Sequence, residues 1–308
     1  MTRREILIYS GFLVLLGAGW GITLPLTKIV VSTGHKHFGL VFWQLVIGAS
    51  LMALICKSRG FGLPFSARHV RLYLLLAVIG TILPNTASYQ AAVHLPAGVA
   101  SILLSMVPMW AFPIALIMGL DRFLLRRFFG LLAGLTGVML IVVSGQSLEG
   151  SIPAFWVGLA LLAGLCYAIE GNIVAKWGTL GLNPFQVLFG ASLVGVIAVL
   201  PATILTGQWI DPIRVYAAPE LSLIAASMIH VLVYSGYVWL VTRAGSVFAV
   251  QVSYMVTGFG VLWSKLILDE AYPPSIWLAL ALMFTGMFLV QPRPKAVLAE
   301  TTPISETD

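Results

Sequence analysis

Polar positions are scarce along most of this chain and cluster between long apolar runs. The runs cover about residues 6–28, 38–56, 71–92, 96–119, 127–144, 154–175, 184–206, 219–241, 245–267 and 274–291. Each is near the roughly 20 residues that a helix needs to cross a ~30 Å hydrocarbon core. Barrel strands would instead alternate apolar and polar positions in shorter segments. The pattern predicts an all-α integral membrane protein with ten transmembrane helices. Only His94-Leu95-Pro96 and Arg243-Ala244 separate the third run from the fourth and the eighth from the ninth, so these pairs must form antiparallel hairpins. Residues 292–308 are polar and proline-bearing and read as a disordered tail.

The apolar runs repeat. Residues 42–51 read FWQLVIGASL and residues 184–193 read PFQVLFGASL. An offset of about 148 also lays Tyr89 on Tyr237, Val99 on Val247, Ser105 on Ser253 and Leu120-Asp121 on Leu268-Asp269. Thr136-Gly137 falls on Thr285-Gly286 after a one-residue adjustment. The chain therefore divides into two five-helix units, 6–144 and 154–291. Five is odd, so the second unit enters the membrane upside down relative to the first.

Charge sets the orientation. With the N-terminus inside, thirteen of the 17 Lys and Arg residues fall on cytoplasmic segments, and Lys28, Lys36, Arg214 and Lys265 fall outside. The positive-inside rule then places both termini in the cytoplasm. The basic LDRFLLRR after the fourth run and the acidic LDEAYPPS after the ninth fit the same inversion. Inverted repeats suit alternating access, with a solute site near the midplane between the halves. A duplicated scaffold without transport is the plainer alternative.

Composition narrows the class further. The 308 residues are 59% hydrophobic and only 9% charged, against about a quarter charged in soluble domains. The net charge of +6 sits in short loops and forms no basic stripe, which excludes nucleic acid as a partner. Cys56 and Cys166 share no motif and read as small packing residues. The N-terminal run is too long for a signal peptide and reads as an uncleaved first span. No GxSxG, HExxH or Walker sequence is present. We expect no enzyme, and so no catalytic residue, cofactor or metal. The expected partners are a small-molecule substrate and membrane lipids, for a monomer or homodimer.

A few polar residues lie deep inside the runs. Glu170, in GLCYAIEGNIVAKW beside Tyr167, sits roughly 22 Å from the outer end of helix six. An intramembrane carboxylate costs about 2.5–3.5 kcal/mol or more and faces a cavity or a partner. It reads as a proton site or a cation partner, with a structural pairing to Lys176 as the alternative. His230 lies midway along helix eight and can titrate or hydrogen-bond a solute; it too can serve as a helix–helix contact. Tyr234 and Tyr237 follow at i+4 and i+7 on a similar face. Helix nine offers Gln251, Tyr254 and Thr257, with Tyr254 and Thr257 able to look the same way. Helix four offers Ser105, followed by Pro108 and Pro113, which should kink it. Helix three offers Asn85 after Pro84, then Tyr89. Trp20 and Trp110 could supply aromatic walls, or packing alone. Gly130 and Gly134 form a GxxxG on helix five, for close packing within the fold or in a dimer.

Several motifs resemble the drug/metabolite transporter superfamily, in particular its EamA-type members. They are Trp20-Gly21 with Lys28, the stretch Tyr89-Gln90-Ala91-Ala92-Val93-His94-Leu95-Pro96-Ala97-Gly98-Val99-Ala100-Ser101, the pairs Asp121-Arg122 and Asp269-Glu270, and Leu135-Thr136-Gly137-Val138. The resemblance spans about residues 6 to 291. It implies a ten-helix inner-membrane carrier of small metabolites, with a central cavity lined by helices 1, 3, 4, 6, 8 and 9, and it favours export of amino acids or related compounds. Gln44 departs from the pattern, because such proteins often carry Arg there. Uptake, or flipping of a lipid-linked solute, remains the alternative.

Overall fold

The computed structural model describes residues 3–145, 153–213, 216–244, 249 and 251–290. Val247, Arg214 and the 292–308 tail lie outside them. The described residues form ten helices: α1 Arg3–Val31, α2 His37–Ser58, α3 Ala67–His94, α4 Ala97–Ile117, α5 Leu125–Gly145, α6 Ala154–Trp177, α7 Pro184–Leu205, α8 Ala218–Ala244, α9 Val252–Leu268 and α10 Pro274–Val290. Eight are long and apolar enough to cross a bilayer, while α9 and α10 are shorter apolar helices. Helix is the form such runs must take, because hydrocarbon cannot satisfy a backbone N–H or C=O.

Two helices are interrupted for reasons legible in the chain. In α3, Val78–Ile82 forms a π turn and Leu83 N–H donates to Val78 O. Pro84 follows and has no N–H for the carbonyl of Gly80, so the ladder slips by one residue. In α4, the expected proline kink is a tightened turn at Ser105 and Met106, whose N–H groups bond to the carbonyls of Ile102 and Leu103. Pro108 then sits in the first turn of the second half, where a missing N–H costs little.

The packing exchanges elements between the halves. α1 packs on α8 and α9, and α6 packs on α3 and α4. α2 pairs with α7, and α5 with α10. Both of these pairs are antiparallel. Phe38 at the start of α2 meets Thr203 and Gln208 at the end of α7, while Phe61 after α2 stacks near Phe185 at the start of α7. Equivalent helices therefore run in opposite directions, and the repeated GASL stretches meet across the α2–α7 seam, where Gly48 faces Ser192.

The GxxxG of α5 is used inside the fold. A Cβ at Gly130 would lie 2.8 Å from the Gly286 carbonyl, and one at Gly286 would lie 3.2 Å from Gly134 N. Gly17 and Gly21 of α1 make similar room for Met255, Phe259 and Gly260 of α9.

One end of the bundle is clamped at the α3–α4 turn. Lys28 Nζ donates to the carbonyls of Ala92, Val93 and Leu95 at 2.7–3.0 Å. Glu270 accepts from the N–H groups of Ala97 and Gly98 at 2.7 and 3.1 Å, capping α4. Tyr272 donates to Glu270; burial, then that contact, hold its hydroxyl pKa above the usual tyrosine value. His94 stacks on Trp156 with centroids 3.9 Å apart. Arg122 occupies the position equivalent to Glu270 in the first repeat and has no acceptor with which to cap a helix. Glu270→Ala should cost about 1 kcal/mol, read as a drop of a few degrees in detergent melting. An unchanged melting temperature would show that the cap contributes nothing.

Candidate functional site

The π turn places Gly80 directly against Glu170. A Cβ at Gly80 would lie 2.6 Å from Glu170 Oε2 and closer still to Oε1. Among the described residues Glu170 makes no hydrogen bond or ion pair. Lys176 turns away and donates to Met118 O at 2.9 Å, so it does not pair with the carboxylate. Tyr167 and Tyr234 lie close enough to sense the Glu170 charge. A carboxylate in the membrane is thus fitted to backbone, flanked by two phenols and, among the described residues, left without a countercharge.

Beside it runs a polar network. Gln44 Oε1 accepts from Tyr89 OH at 2.5 Å and from Asn85 Nδ2 at 3.2 Å. Tyr167 OH donates to Asn85 Oδ1 at 2.9 Å. The network joins α2, α3 and α6. Gln44 is the residue that the sequence reading set aside; its place in the repeated Gln-x-x-x-Gly-Ala-Ser-Leu was the available signal. Its repeat partner Gln186 serves only in a capping box with Asn183 and donates to Gly62 O.

A third group sits on α1 and α8. Trp20 Nε1 donates to His230 Nδ1 at 3.2 Å, and its ring lies 5.6 Å from that of Tyr237. An indole N–H can only donate, so Nδ1 must be unprotonated and neutral His230 carries its proton on Nε2. His230 and Gln44 line one small cavity of about 40 Å³, with Gly48, Thr81, Ser192 and Ser227. That volume has room for one water molecule, and its lining includes residues of both polar groups.

The structure thus brings together Trp20, Asn85, Tyr89, Tyr167, Glu170, His230, Tyr234 and Tyr237, and it adds Gln44, Gly80 and Ser192. Five expected residues lie elsewhere. Ser105 is buried in the α4 turn and bonds back to Ile102 O. Trp110 packs near Gly164 of α6, with its Nε1 buried and unpaired among the described residues. Thr257 is buried and bonds back to Ser253 O, while its own carbonyl accepts from Ser101. Gln251 and Tyr254 line a separate groove between α9 and α10. Helix periodicity placed Tyr254 and Thr257 on one stripe, but Thr257 meets Ser101 of α4 while Tyr254 packs beside Phe284 of α10.

Gly80→Ala should displace the Glu170 carboxylate and cut function as strongly as loss of the carboxylate itself. A transport assay on both variants checks this, and full activity in Gly80→Ala would refute the contact.

This fold is that of a polytopic membrane protein built from a duplicated, inverted five-helix unit. The profile of the EamA-like transporter family matches residues 7–143 and again residues 154–291, and the chain belongs to that family. A curated relative from Streptantibioticus cattleyicolor, described as a probable terminal-alkyne amino-acid exporter, is 23% identical over 283 residues, covering 91% of this chain and 92% of that one. A solved crystal structure aligns with a TM-score of 0.62 at 14% identity, over 94% of this chain and 96% of the other, which shows the shared fold.

Proposed function

We propose that this protein is a secondary active exporter of a small metabolite bearing an ammonium group, an amino acid or an amine, working in the inner membrane with both termini cytoplasmic. Its two inverted units, 6–144 and 154–291, exchange shapes around a site at Glu170. The observation that carries this reading is the Glu170 carboxylate lodged against Gly80 and unpaired among the described residues. Insertion of such a charge costs at least about 2.5–3.5 kcal/mol, and a cationic ligand or a proton offsets that cost. The aromatic rings of Trp20, Tyr167, Tyr234 and Tyr237 add faces on which a cation can rest. Glu170 and His230 are the groups able to exchange protons with the solute. The relative's description as an amino-acid exporter supports the same direction and substrate class.

The test is ligand-induced stabilisation of the purified protein, followed by export from loaded vesicles. A ligand bound only by the folded state raises stability by RT ln(1 + [L]/Kd). Amino acids and amines should raise the melting temperature, and carboxylic acids without an amine should not. Stabilisation by those acids alone would overturn the assignment.

A further inference from the structure

The cavity of about 40 Å³ between α2, α3, α7 and α8 is lined by Gln44, Thr81, Ser192, Ser227 and His230. Its walls carry hydrogen-bond donors that the fold does not use. Gln44 Oε1 is spent twice, on Tyr89 and Asn85, while its Nε2 has no partner among the described residues. Trp20 occupies Nδ1 of His230, so the proton of the neutral ring sits on Nε2, again with no partner among the described residues. Ser192 and Thr81 complete the set. Hydroxyls elsewhere in these helices bond back to their own backbone, as those of Ser105, Ser227, Thr257 and Ser264 do. Those of Ser192 and Thr81 bond to nothing among the described residues.

Four unspent donors around one space ask for an acceptor. No carboxylate lines the cavity, and donors serve an ionised acceptor best. The space takes one small anionic group, and the rest of a solute has to lie outside it. The direction is set by α3: Gly80 meets Glu170, and Thr81, the next residue, lines the cavity. The same two places are joined through Tyr167, one turn from Glu170 on α6, whose hydroxyl reaches Asn85 and through it Gln44. An α-amino acid carries its ammonium and its carboxylate on one carbon and has the short span that this arrangement asks for. A simple amine would leave the four donors unbonded.

We infer that this cavity is the carboxylate subsite of the carrier, and that the solute is an α-amino acid rather than a simple amine. Gln44, Thr81, Ser192 and His230 donate to the carboxylate while Glu170 takes the ammonium. The inference rests on the reading of Glu170 as the ammonium site.

The experiment reads melting of the purified full chain in detergent with the common protein amino acids and their decarboxylated amines. The most stabilising amino acid is then compared with its amine and its primary amide over a range of concentrations. Both keep the ammonium and lose the carboxylate, and each should bind at least about tenfold more weakly. Ser192→Ala and Gln44→Glu should weaken the amino acid about tenfold while the amine still binds; Glu170→Gln should weaken both. The glutamate keeps an oxygen for Tyr89 and Asn85 and puts a second oxygen where the donor was. If it fails to fold, Ser192→Ala, which removes one hydroxyl, keeps the test open. An amine or amide that binds as tightly as the amino acid would overturn the inference and leave the reading of Glu170 standing. Equal weakening of amino acid and amine by Ser192→Ala would do the same. Melting that responds to no amino acid and no amine would remove both.

Discussion

Glu170→Gln is expected to lower export tenfold to a hundredfold while leaving the protein folded. The amide is nearly isosteric, so it fits the space beside Gly80 without a clash. It removes the charge that a cationic solute or a proton would meet. A hydrogen bond to a charged group is worth about 1.5–3 kcal/mol, and each 1.4 kcal/mol is tenfold. Thermal stability should be equal or higher, because the neutral side chain no longer pays for desolvation in the membrane. Glu170→Asp keeps the charge but retracts it by one methylene, and it should retain part of the activity. Initial export rates from vesicles, read beside melting curves, separate the two effects. Unchanged export by Glu170→Gln would remove the carboxylate from the mechanism; lost export together with lost folding would make it a structural residue.

A large stability effect is expected at Gly286. A valine there would place Cβ 2.6 Å from Met109 Cε and 2.7 Å from the carbonyl of Gly130. The methionine tip can move, but the carbonyl belongs to the ladder of α5 and cannot. The α5–α10 seam must open, which costs about 3 kcal/mol by the measure of overpacked cores. Melting should fall by roughly 10 °C, with a loss of folded yield. Gly158→Val is the control, since a Cβ there meets nothing within 4 Å. Equal behaviour of the two variants would show that close approach of α5 and α10 does not hold the fold.

The candidate site was only partly legible beforehand. Glu170 and His230 stood out because each is a polar residue at membrane depth, and depth follows from counting along a helix at 1.5 Å per residue. The face of a helix is different. A helix apolar on every side has no polar stripe to set its rotation, so nothing in the chain said that Tyr254 looks toward α10 while Thr257 looks toward α4. Ser105 was misplaced for a related reason: its hydroxyl is satisfied by its own helix, within the turn that Pro108 follows. Gly80 gave no sign at all, since a glycine announces its importance only when a neighbour arrives.

By itself the sequence determined the membrane class, the ten helices and the inverted duplication, because run length, repeat offset and loop charge answer to the bilayer rather than to any partner helix. The π turn in α3 has a local cause, the missing N–H of Pro84, but the structure was needed to locate it. Tertiary structure decided the rest: that Gln44 joins Tyr89 and Asn85, that Trp20 sets the proton on His230, that Glu170 rests against Gly80, and that α9 and α10 part to leave a groove. These depend on which faces meet, and facing is set by glycine-to-backbone contacts between segments more than a hundred residues apart.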